Sequence, residues 1–145
     1  MKKAIVLLAL LPSLASAGEL WGSLNLASAH GKTKNRLNER NPGLGLEYHQ
    51  SEHVLYMAGA FRNSHRRTSV YALAGWTPVE WGYAKFGVVG GIINGYPKHN
   101  SGKVIPMAAG LMRIEGERWG ANVFLVPPAL KDTPLTLGFQ LKYRF

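Results

Sequence analysis

The last eleven residues of the chain, LTLGFQLKYRF, alternate strictly between two kinds of side chain. Every second residue from Leu135 to Phe145 is leucine or aromatic, and the residues between them are small, polar or cationic. A period of two places the two sets on opposite faces of a β-strand. A strand of this length with an aromatic end predicts one wall strand of a membrane-spanning β-barrel.

The first 17 residues have the features of a secretory signal peptide. Lys2 and Lys3 precede an apolar stretch at 4–11, and Ala15-Ser16-Ala17 forms an A-x-A cleavage site. We therefore interpret residues 1–17 as a signal peptide and residues 18–145 as one domain. Since no later stretch has about 18 consecutive apolar residues, the sequence predicts no transmembrane helix, and only a barrel could span a membrane.

The 128 residues after the signal suffice for eight strands of roughly ten residues. Short turns alternate with longer loops rich in charge, proline and glycine, which is typical of periplasmic turns and outer loops. The closing strand also resembles that of bacterial outer-membrane proteins. We therefore predict an eight-stranded antiparallel transmembrane β-barrel of the bacterial outer membrane, with strands at 20–30, 42–50, 54–62, 69–77, 84–94, 104–114, 119–127 and 135–145.

The middle strands are apolar on both faces, which argues against a water-filled pore. Inward glycines could leave an apolar interior pocket for one acyl chain; the alternative is that they relieve strain in a tightly coiled sheet. The proposed pocket consists of two glycines and their large neighbours: Gly59 and Gly75, with Met57, Phe61, Tyr71 and Leu73. Below it, Gln140, Lys142 and Arg144 are expected to pair with Glu47 as a polar plug.

Prolines fall in or at the ends of several predicted strands, on the outer side: Pro42, Pro106 and Pro127-Pro128. A proline removes one amide donor from the ladder, so the wall there should have fewer hydrogen bonds and could open sideways to the outer leaflet. The alternative is that these prolines only mark strand boundaries.

Without Lys2 and Lys3, the chain has 15 basic and 8 acidic side chains. Such a surplus favours phosphate partners. For a cell-surface barrel these would belong to phospholipids and lipopolysaccharide rather than nucleic acid, and a merely solvated rim is the alternative. The predicted grip on lipid phosphates comes from cations of the first two outer loops: Lys32, Lys34, Arg36, Arg40, Arg66 and Arg67.

Four segments, in order, resemble the PagP family of outer-membrane lipid A palmitoyltransferases. They are His30 with the following Lys32, Lys34 and RLNER at 36–40; AFRNS at 60–64; AGW at 74–76; and VIP at 104–106. The resemblance implies transfer of a palmitoyl chain from a phospholipid to a hydroxyl-bearing acyl chain of lipid A, by a monomer that uses no metal or other cofactor.

The resemblance also implies roles for single residues. His30 and Ser64 match the family's rim histidine and serine, Gly75 matches the glycine at the bottom of its acyl pocket, and the prolines match its lateral openings. His30 is then the candidate base, and Ser64 a donor to the developing oxyanion. Asn63 stands where the family has aspartate; its amide could assist but carries no charge.

Three alternatives to an acyltransferase remain open from the sequence. A lipid A deacylase would also use serine and histidine, but its H-x-S pattern near the C-terminus is missing. A non-enzymatic barrel could bind lipid or a surface partner, in which case Asn63 would mark lost catalysis. A pore is disfavoured by the apolar interior. The five histidines show no metal-binding spacing.

Overall fold

The computed structural model describes residues 18–33, 36–129 and 133–145. The predicted signal peptide, residues 1–17, and Lys34 lie outside the described residues. Eight antiparallel strands form one closed barrel, because each pairs with its neighbours in the sequence and the first also pairs with the last. This confirms the predicted fold class. The strands are β1 Glu19–His30, β2 Arg40–His49, β3 Val54–Arg62, β4 Thr68–Trp81, β5 Ala84–Ile93, β6 Ile105–Glu115, β7 Trp119–Val126 and β8 Thr136–Arg144.

The fourth strand is longer than predicted, because Pro78 does not end it. Thr77 and Pro78 together lie opposite the single residue Gly87, so the ladder accommodates proline in a bulge and resumes at Val79. A Cβ atom at Gly87 would lie 1.9 Å from the carbonyl oxygen of Trp76. The bulge therefore requires glycine on β5, which the sequence pattern alone did not indicate.

The outward face of the wall carries exposed apolar side chains from every strand, among them Leu44, Tyr56, Val70, Val88, Ile92, Leu125 and Phe139. An apolar band of this kind faces lipid in a membrane-spanning barrel. In β8 the predicted alternation is confirmed, since Gln140 and Lys142 are buried whereas Leu141 is exposed. Within the described ranges, no helix has the length and apolar character needed to cross a membrane.

The barrel interior has two different halves. We call the end that carries His30 the outer end and the opposite end the periplasmic end. Towards the outer end the interior is largely apolar, with Met57, Tyr71, Leu73, Ile93 and Phe124 among its buried side chains. Towards the periplasmic end it is filled by a polar plug, which we define as Glu47, His49, Arg113, Glu115 and Lys142.

The polar plug is internally paired. Lys142 Nζ lies 2.7 Å from Glu47 Oε1 and 2.5 Å from Glu115 Oε1. Arg113 Nη1 lies 3.1 Å from Glu115 Oε1. Two cations thus face two carboxylates, and Thr77 and Asn122 supply further hydrogen bonds to Arg113 and Glu47. Buried charges are tolerated when they are matched and hydrogen-bonded in this way.

Of the three predicted partners of Glu47, only Lys142 is confirmed. The prediction is wrong for Gln140, which lies nearer the outer end and whose amide nitrogen reaches Asn25 and the Tyr71 hydroxyl. It is also wrong for Arg144, which lies at the periplasmic end of β8 and pairs with Glu19 at 2.9 Å. Both side chains face inward as predicted, but they are at different depths from Glu47.

Candidate functional site

His30 faces the barrel interior because β1 contains a bulge. Asn25 lies opposite Gln140 and Ala27 lies opposite Phe139, so Leu26 is an extra residue relative to β8. In a regular strand His30 would share the outward face of Leu24 and Leu26. The extra residue reverses the alternation. His30 is therefore paired opposite inward-facing Thr136, and its side chain is only 5% exposed.

His30 and Ser64 both lie at the outer end, where the sequence predicts them, and the structure shows that they are in contact. His30 Nε2 lies 2.8 Å from Ser64 Oγ, which is hydrogen-bonding distance. Ser64 lies in the loop between β3 and β4, and its carbonyl oxygen accepts a hydrogen bond from the backbone of Asn38. The first two outer loops are thereby joined next to the pair.

Glu39 adds a carboxylate behind the imidazole. Its Oε1 lies 3.8 Å from His30 Nδ1. This distance is too long for a hydrogen bond but short enough for the carboxylate to attract a protonated imidazole. The Nδ1 atom is buried and has no hydrogen-bond partner among the described residues. Glu39 belongs to the RLNER segment, but its position relative to His30 depends on the loop path, so the sequence did not single it out.

Asn63 supports the loop and does not face the pair. Its amide nitrogen donates to Ser69 Oγ at 2.9 Å and to the carbonyl oxygen of Gly95 at 2.8 Å. Its amide oxygen accepts from the backbone N–H groups of His65 and Arg67. All four hydrogen-bonding positions of the amide are thus used. These contacts support a structural role for Asn63 and not the predicted assistance in catalysis.

Below His30 and Ser64 lies a cavity of about 480 Å³. We call it the acyl cavity after the acyl-chain pocket that the sequence predicts. Its volume is within the range of roughly 300–1,000 Å³ that is usual for small-molecule sites. The walls are mainly apolar, with Phe61, Leu73, Ile93, Ile105, Met107 and Phe124 among the lining residues. Polar groups of Asn25, Tyr71 and Gln140 also line it and are hydrogen-bonded together.

Three of the six residues predicted to form the pocket line the acyl cavity, namely Phe61, Tyr71 and Leu73. The predicted positions of Gly59, Gly75 and Met57 on its wall are wrong. The space next to Gly59 is taken by the Tyr71 hydroxyl, which lies 2.7 Å from an ideal Cβ position. The space next to Gly75 is taken by Leu55, whose Cγ lies 3.0 Å from the corresponding position. Met57 is packed in the core at 3% exposure.

The wall has a gap between β6 and β7 at the outer end. The two strands pair only from Gly110 to Glu115, so the outer residues of β6 have a ladder partner in β5 but none in β7. Pro127 and Pro128 directly follow β7 and have no N–H group to donate. Pro106 and Ala108 are exposed and also line the acyl cavity. The acyl cavity therefore extends to the gap. A lateral opening, as predicted from the prolines, would need this continuity.

The other predicted proline, Pro42, lies at an irregularity between β1 and β2. Asn41 and Pro42 together lie opposite Leu26, so the β1–β2 ladder is interrupted between the pair Asn25/Gly43 and the last pair, Ala27/Arg40. Proline is found at such interruptions because it lacks the donor that a regular ladder needs. Pro42 therefore marks the same place along β1 at which the alternation reverses in favour of His30.

Two loop residues of the acyl cavity have shifted pKa values. Burial lowers the pKa of His65, and electrostatic repulsion by the neighbouring side chains of Lys98, His99, His30 and Arg67 lowers it further. Burial raises the pKa of Tyr96 to about 12, so its phenol remains protonated at neutral pH. Neither Lys98 nor His99 had been predicted as a site residue. Both lie in the loop between β5 and β6. No pattern in the sequence predicts that this loop folds over the cavity.

Among the described residues, two groups of three side chains lie close enough together in space to bind a metal ion. Glu47, His49 and Glu115 belong to the polar plug, where Lys142 already contacts both carboxylates. Glu52, His53 and Glu80 are near the periplasmic turns, where Lys85 pairs with both carboxylates. Neither group includes a residue of the acyl cavity.

The comparisons with known proteins show the fold. No family model matches the chain, and no curated protein matches it. A solved structure of the outer membrane protein Ail of Yersinia pestis, determined in a phospholipid bilayer nanodisc, is similar with a TM-score of 0.54 and 15% sequence identity. The similarity covers 88% of this chain and 99% of that chain. At this identity it supports an eight-stranded barrel of the outer-membrane kind and assigns no activity.

Proposed function

We propose that this chain is a bacterial outer-membrane acyltransferase that moves a long acyl chain from a phospholipid to a hydroxyl-bearing acyl chain of lipid A. The observation that carries the proposal is the 2.8 Å contact between His30 Nε2 and Ser64 Oγ at the mouth of a mainly apolar cavity. A base, a hydroxyl and an acyl-sized space are the parts that ester transfer needs. The residue matches with the PagP family support the same chemistry.

The transfer can be written with the residues of the rim. The acceptor hydroxyl attacks the ester carbonyl of the donor, and His30 Nε2 takes its proton. Ser64 Oγ–H donates to the oxygen that becomes negative. When the ester C–O bond breaks, the imidazolium returns the proton to the leaving lysophospholipid oxygen. Glu39, on the Nδ1 side of the ring, stabilises the imidazolium in between.

A second order of events uses the same atoms. Ser64 Oγ would attack the donor first, with His30 as base, and the acyl chain would pass from Ser64 to the acceptor hydroxyl. The hydrogen bond between Ser64 and His30 is compatible with both orders. Mass spectrometry of the intact protein after incubation with a phospholipid alone separates them, because only the second order leaves an acyl group on Ser64.

The cavity and the gap give this chemistry its specificity. The acyl cavity buries a chain away from water, and each buried CH₂ group contributes about 0.8 kcal/mol to binding. The gap between β6 and β7 would let a chain enter sideways from the lipid without crossing the polar rim. The polar plug below excludes a continuous water path. These features favour a long-chain ester over a short, soluble one.

The experiment is mass spectrometry of lipid A from cells that express the protein. Wild-type protein should add one long acyl group, and His30→Ala or Ser64→Ala should reduce the addition by at least about 100-fold. Ser101→Ala, an exposed serine of another outer loop, is the matched control and should retain activity. Heat-modifiable migration shows that each variant is folded.

The same spectra test the two alternative functions. A deacylase would remove an acyl group from lipid A, which lowers the mass instead of raising it. A non-enzymatic lipid-binding barrel would leave lipid A unchanged in every sample. Either result with folded wild-type protein would remove the acyltransferase proposal.

A further inference from the structure

A second, smaller cavity opens beside the acyl cavity at the outer end. Its volume is about 290 Å³, and we call it the rim pocket. Six residues line it: Arg36, Leu37, Ser64, His65, Arg66 and Lys98. Four of them also line the acyl cavity, namely Leu37, Ser64, His65 and Lys98. Ser64 therefore lies at the junction of an apolar space and a cationic one.

Among the residues that the structure describes, the cations of the rim pocket have no acidic partners. Within the part of the chain that the structure describes, Arg36, Arg66 and Lys98 form no salt bridge, and no carboxylate lines the pocket. At the periplasmic end, by contrast, Lys85 and Arg144 each lie close to a carboxylate. Three unmatched cations around one small space favour an anion.

Asn63 fixes the backbone beside the rim pocket and adds no negative charge to it. It holds the β3–β4 loop through the backbone N–H groups of His65 and Arg67, and Arg66 between them has a left-handed backbone with φ of 61°. An aspartate at position 63 could accept these two bonds but could not donate to Ser69 and Gly95. It would also place a negative charge beside the cations. The amide thus favours an anionic ligand in the pocket.

We propose that the rim pocket binds the phosphate of the glycerophospholipid that donates the acyl chain. This inference rests on the proposed function. In such a lipid only a few glycerol bonds separate the ester carbonyls from the phosphate. With the chain in the acyl cavity and the phosphate among the cations of the rim pocket, the ester would lie at Ser64, one of the four residues that line both cavities. The phosphate contact then positions the ester for the His30–Ser64 pair.

The test is calorimetric binding of two lipids that differ only in the phosphate. Palmitoyl lysophosphatidic acid and monopalmitoylglycerol carry the same chain and the same ester, and both are titrated into the full-length mature protein in a neutral detergent. Wild-type protein should bind the phosphate-bearing lipid about tenfold more tightly. The double variant Arg36→Gln, Arg66→Gln changes two residues that line the rim pocket but not the acyl cavity. It should lose this preference while still binding monopalmitoylglycerol as wild type does.

Lys103→Gln is the matched control, because Lys103 is an exposed cation of the same outer end that lines neither cavity. It should keep the tenfold preference. Competition identifies the source of the phosphate: glycerol 3-phosphate should compete with the phosphate-bearing lipid at the pocket, whereas glucosamine 1-phosphate, a mimic of the acceptor, should not. Preferential competition by glucosamine 1-phosphate would contradict assignment to the donor.

Equal affinity of wild-type protein for the two lipids, or an unchanged preference in the double variant, would overturn the proposal. These measurements involve no turnover, so they are independent of whether acyl transfer occurs. A protein that shows the preference but leaves lipid A unmodified would retain the phosphate site and lose the proposed function. A protein that modifies lipid A but shows no preference for the phosphate-bearing lipid would retain the proposed function and lose the phosphate site.

Discussion

The outer and periplasmic halves of the barrel use the same eight strands in opposite ways. At the outer end the interior is open and mainly apolar, and the described cations there outnumber the carboxylates by eight to one, Glu39 being the one. At the periplasmic end the interior is filled, and five described cations face six carboxylates. The periplasmic half thus pairs most of its charges internally, whereas the outer half has unfilled apolar space and, among the described residues, an excess of positive charge.

This difference shows how a small barrel can combine stability with an interior cavity. An eight-stranded barrel is barely wide enough for its own side chains. Concentrating the hydrogen-bonded charges in one half leaves the other half free for a cavity. The two halves meet at the level of Tyr71 and Gln140. Gln140 donates to the Tyr71 hydroxyl in the cavity wall and accepts from Asn122 on the side of the polar plug.

The largest change in stability is expected from Lys142→Met. It leaves Glu47 and Glu115 without the cation between them, which should cost about 3–5 kcal/mol of unfolding free energy. Urea unfolding in detergent measures this cost. Lys103→Met, at the exposed outer end, is the control and should change the unfolding free energy by less than about 0.5 kcal/mol. Similar losses of unfolding free energy in the two variants would show that the polar plug does not stabilise the periplasmic half.

A large change in acyl-chain selection is expected from Gly138→Leu. A side chain at Gly138 would enter the acyl cavity, since its nearest neighbours are Phe124 atoms at 3.7–3.8 Å. Displacing two methylene groups of the ligand should reduce transfer of the longest chains at least about tenfold, at about 0.8 kcal/mol per group. Lipid A mass spectra with donors of graded chain length measure the change.

Gly110→Leu is the matched control for that prediction. Gly110 has similar free space but lies on β6 opposite the exposed Leu125, on the lipid-facing side of the wall. Its substitution should leave chain selection unchanged. If Gly110→Leu shortened the transferred chain as much as Gly138→Leu, the cavity would not be the measuring element.

A smaller effect is expected from Glu39→Gln. Glu39 is 62% exposed and 3.8 Å from His30, so we expect a fall in kcat of about two- to fivefold with an unchanged KM. Glu39→Asp should restore part of the loss if charge is what matters. A changed KM, or equal loss in both variants, would assign Glu39 to loop structure instead of positioning the imidazolium.

The smallest effect is expected from Arg144→Gln at the periplasmic end. Arg144 pairs with Glu19 at 2.9 Å, but both side chains are substantially exposed. Such pairs contribute about 0.2–1 kcal/mol. Urea unfolding should therefore show a loss several times smaller than that for Lys142→Met. A loss as large as that of Lys142→Met would contradict the view that burial, and not the number of ion pairs, makes the periplasmic half stable.

The sequence predicted the barrel well because alternation and turn residues are local signals. Seven strands were predicted within two residues at each end, and the exception, β4, contains Pro78 in a bulge. His30 and Ser64 were identified through residue matches, and strand direction predicts that both lie at the outer end but not that they are in contact. The inward orientation of His30 could not be predicted, since it depends on the bulge at Leu26.

The acyl cavity was predicted less accurately for a physical reason. Glycine leaves space only if no neighbour fills it, and Tyr71 and Leu55 fill the space beside Gly59 and Gly75. Which side chain does so depends on the stagger between strands that are distant in the sequence. The rim pocket was missed in part because Lys98 comes from a third outer loop. Loop residues carry no periodic pattern that would place them over a cavity.

The most direct test of the central claim is photo-crosslinking with a phospholipid that carries a diazirine at the end of its acyl chain. We predict that the label attaches to inward-facing residues of the outer half, such as Leu73, Ile93 and Phe124, and that Gly138→Leu reduces it. Label confined to outward-facing residues such as Val70, Ile92 and Leu125 would mean that the chain stays in the surrounding lipid, and would contradict an acyl-binding cavity inside the barrel.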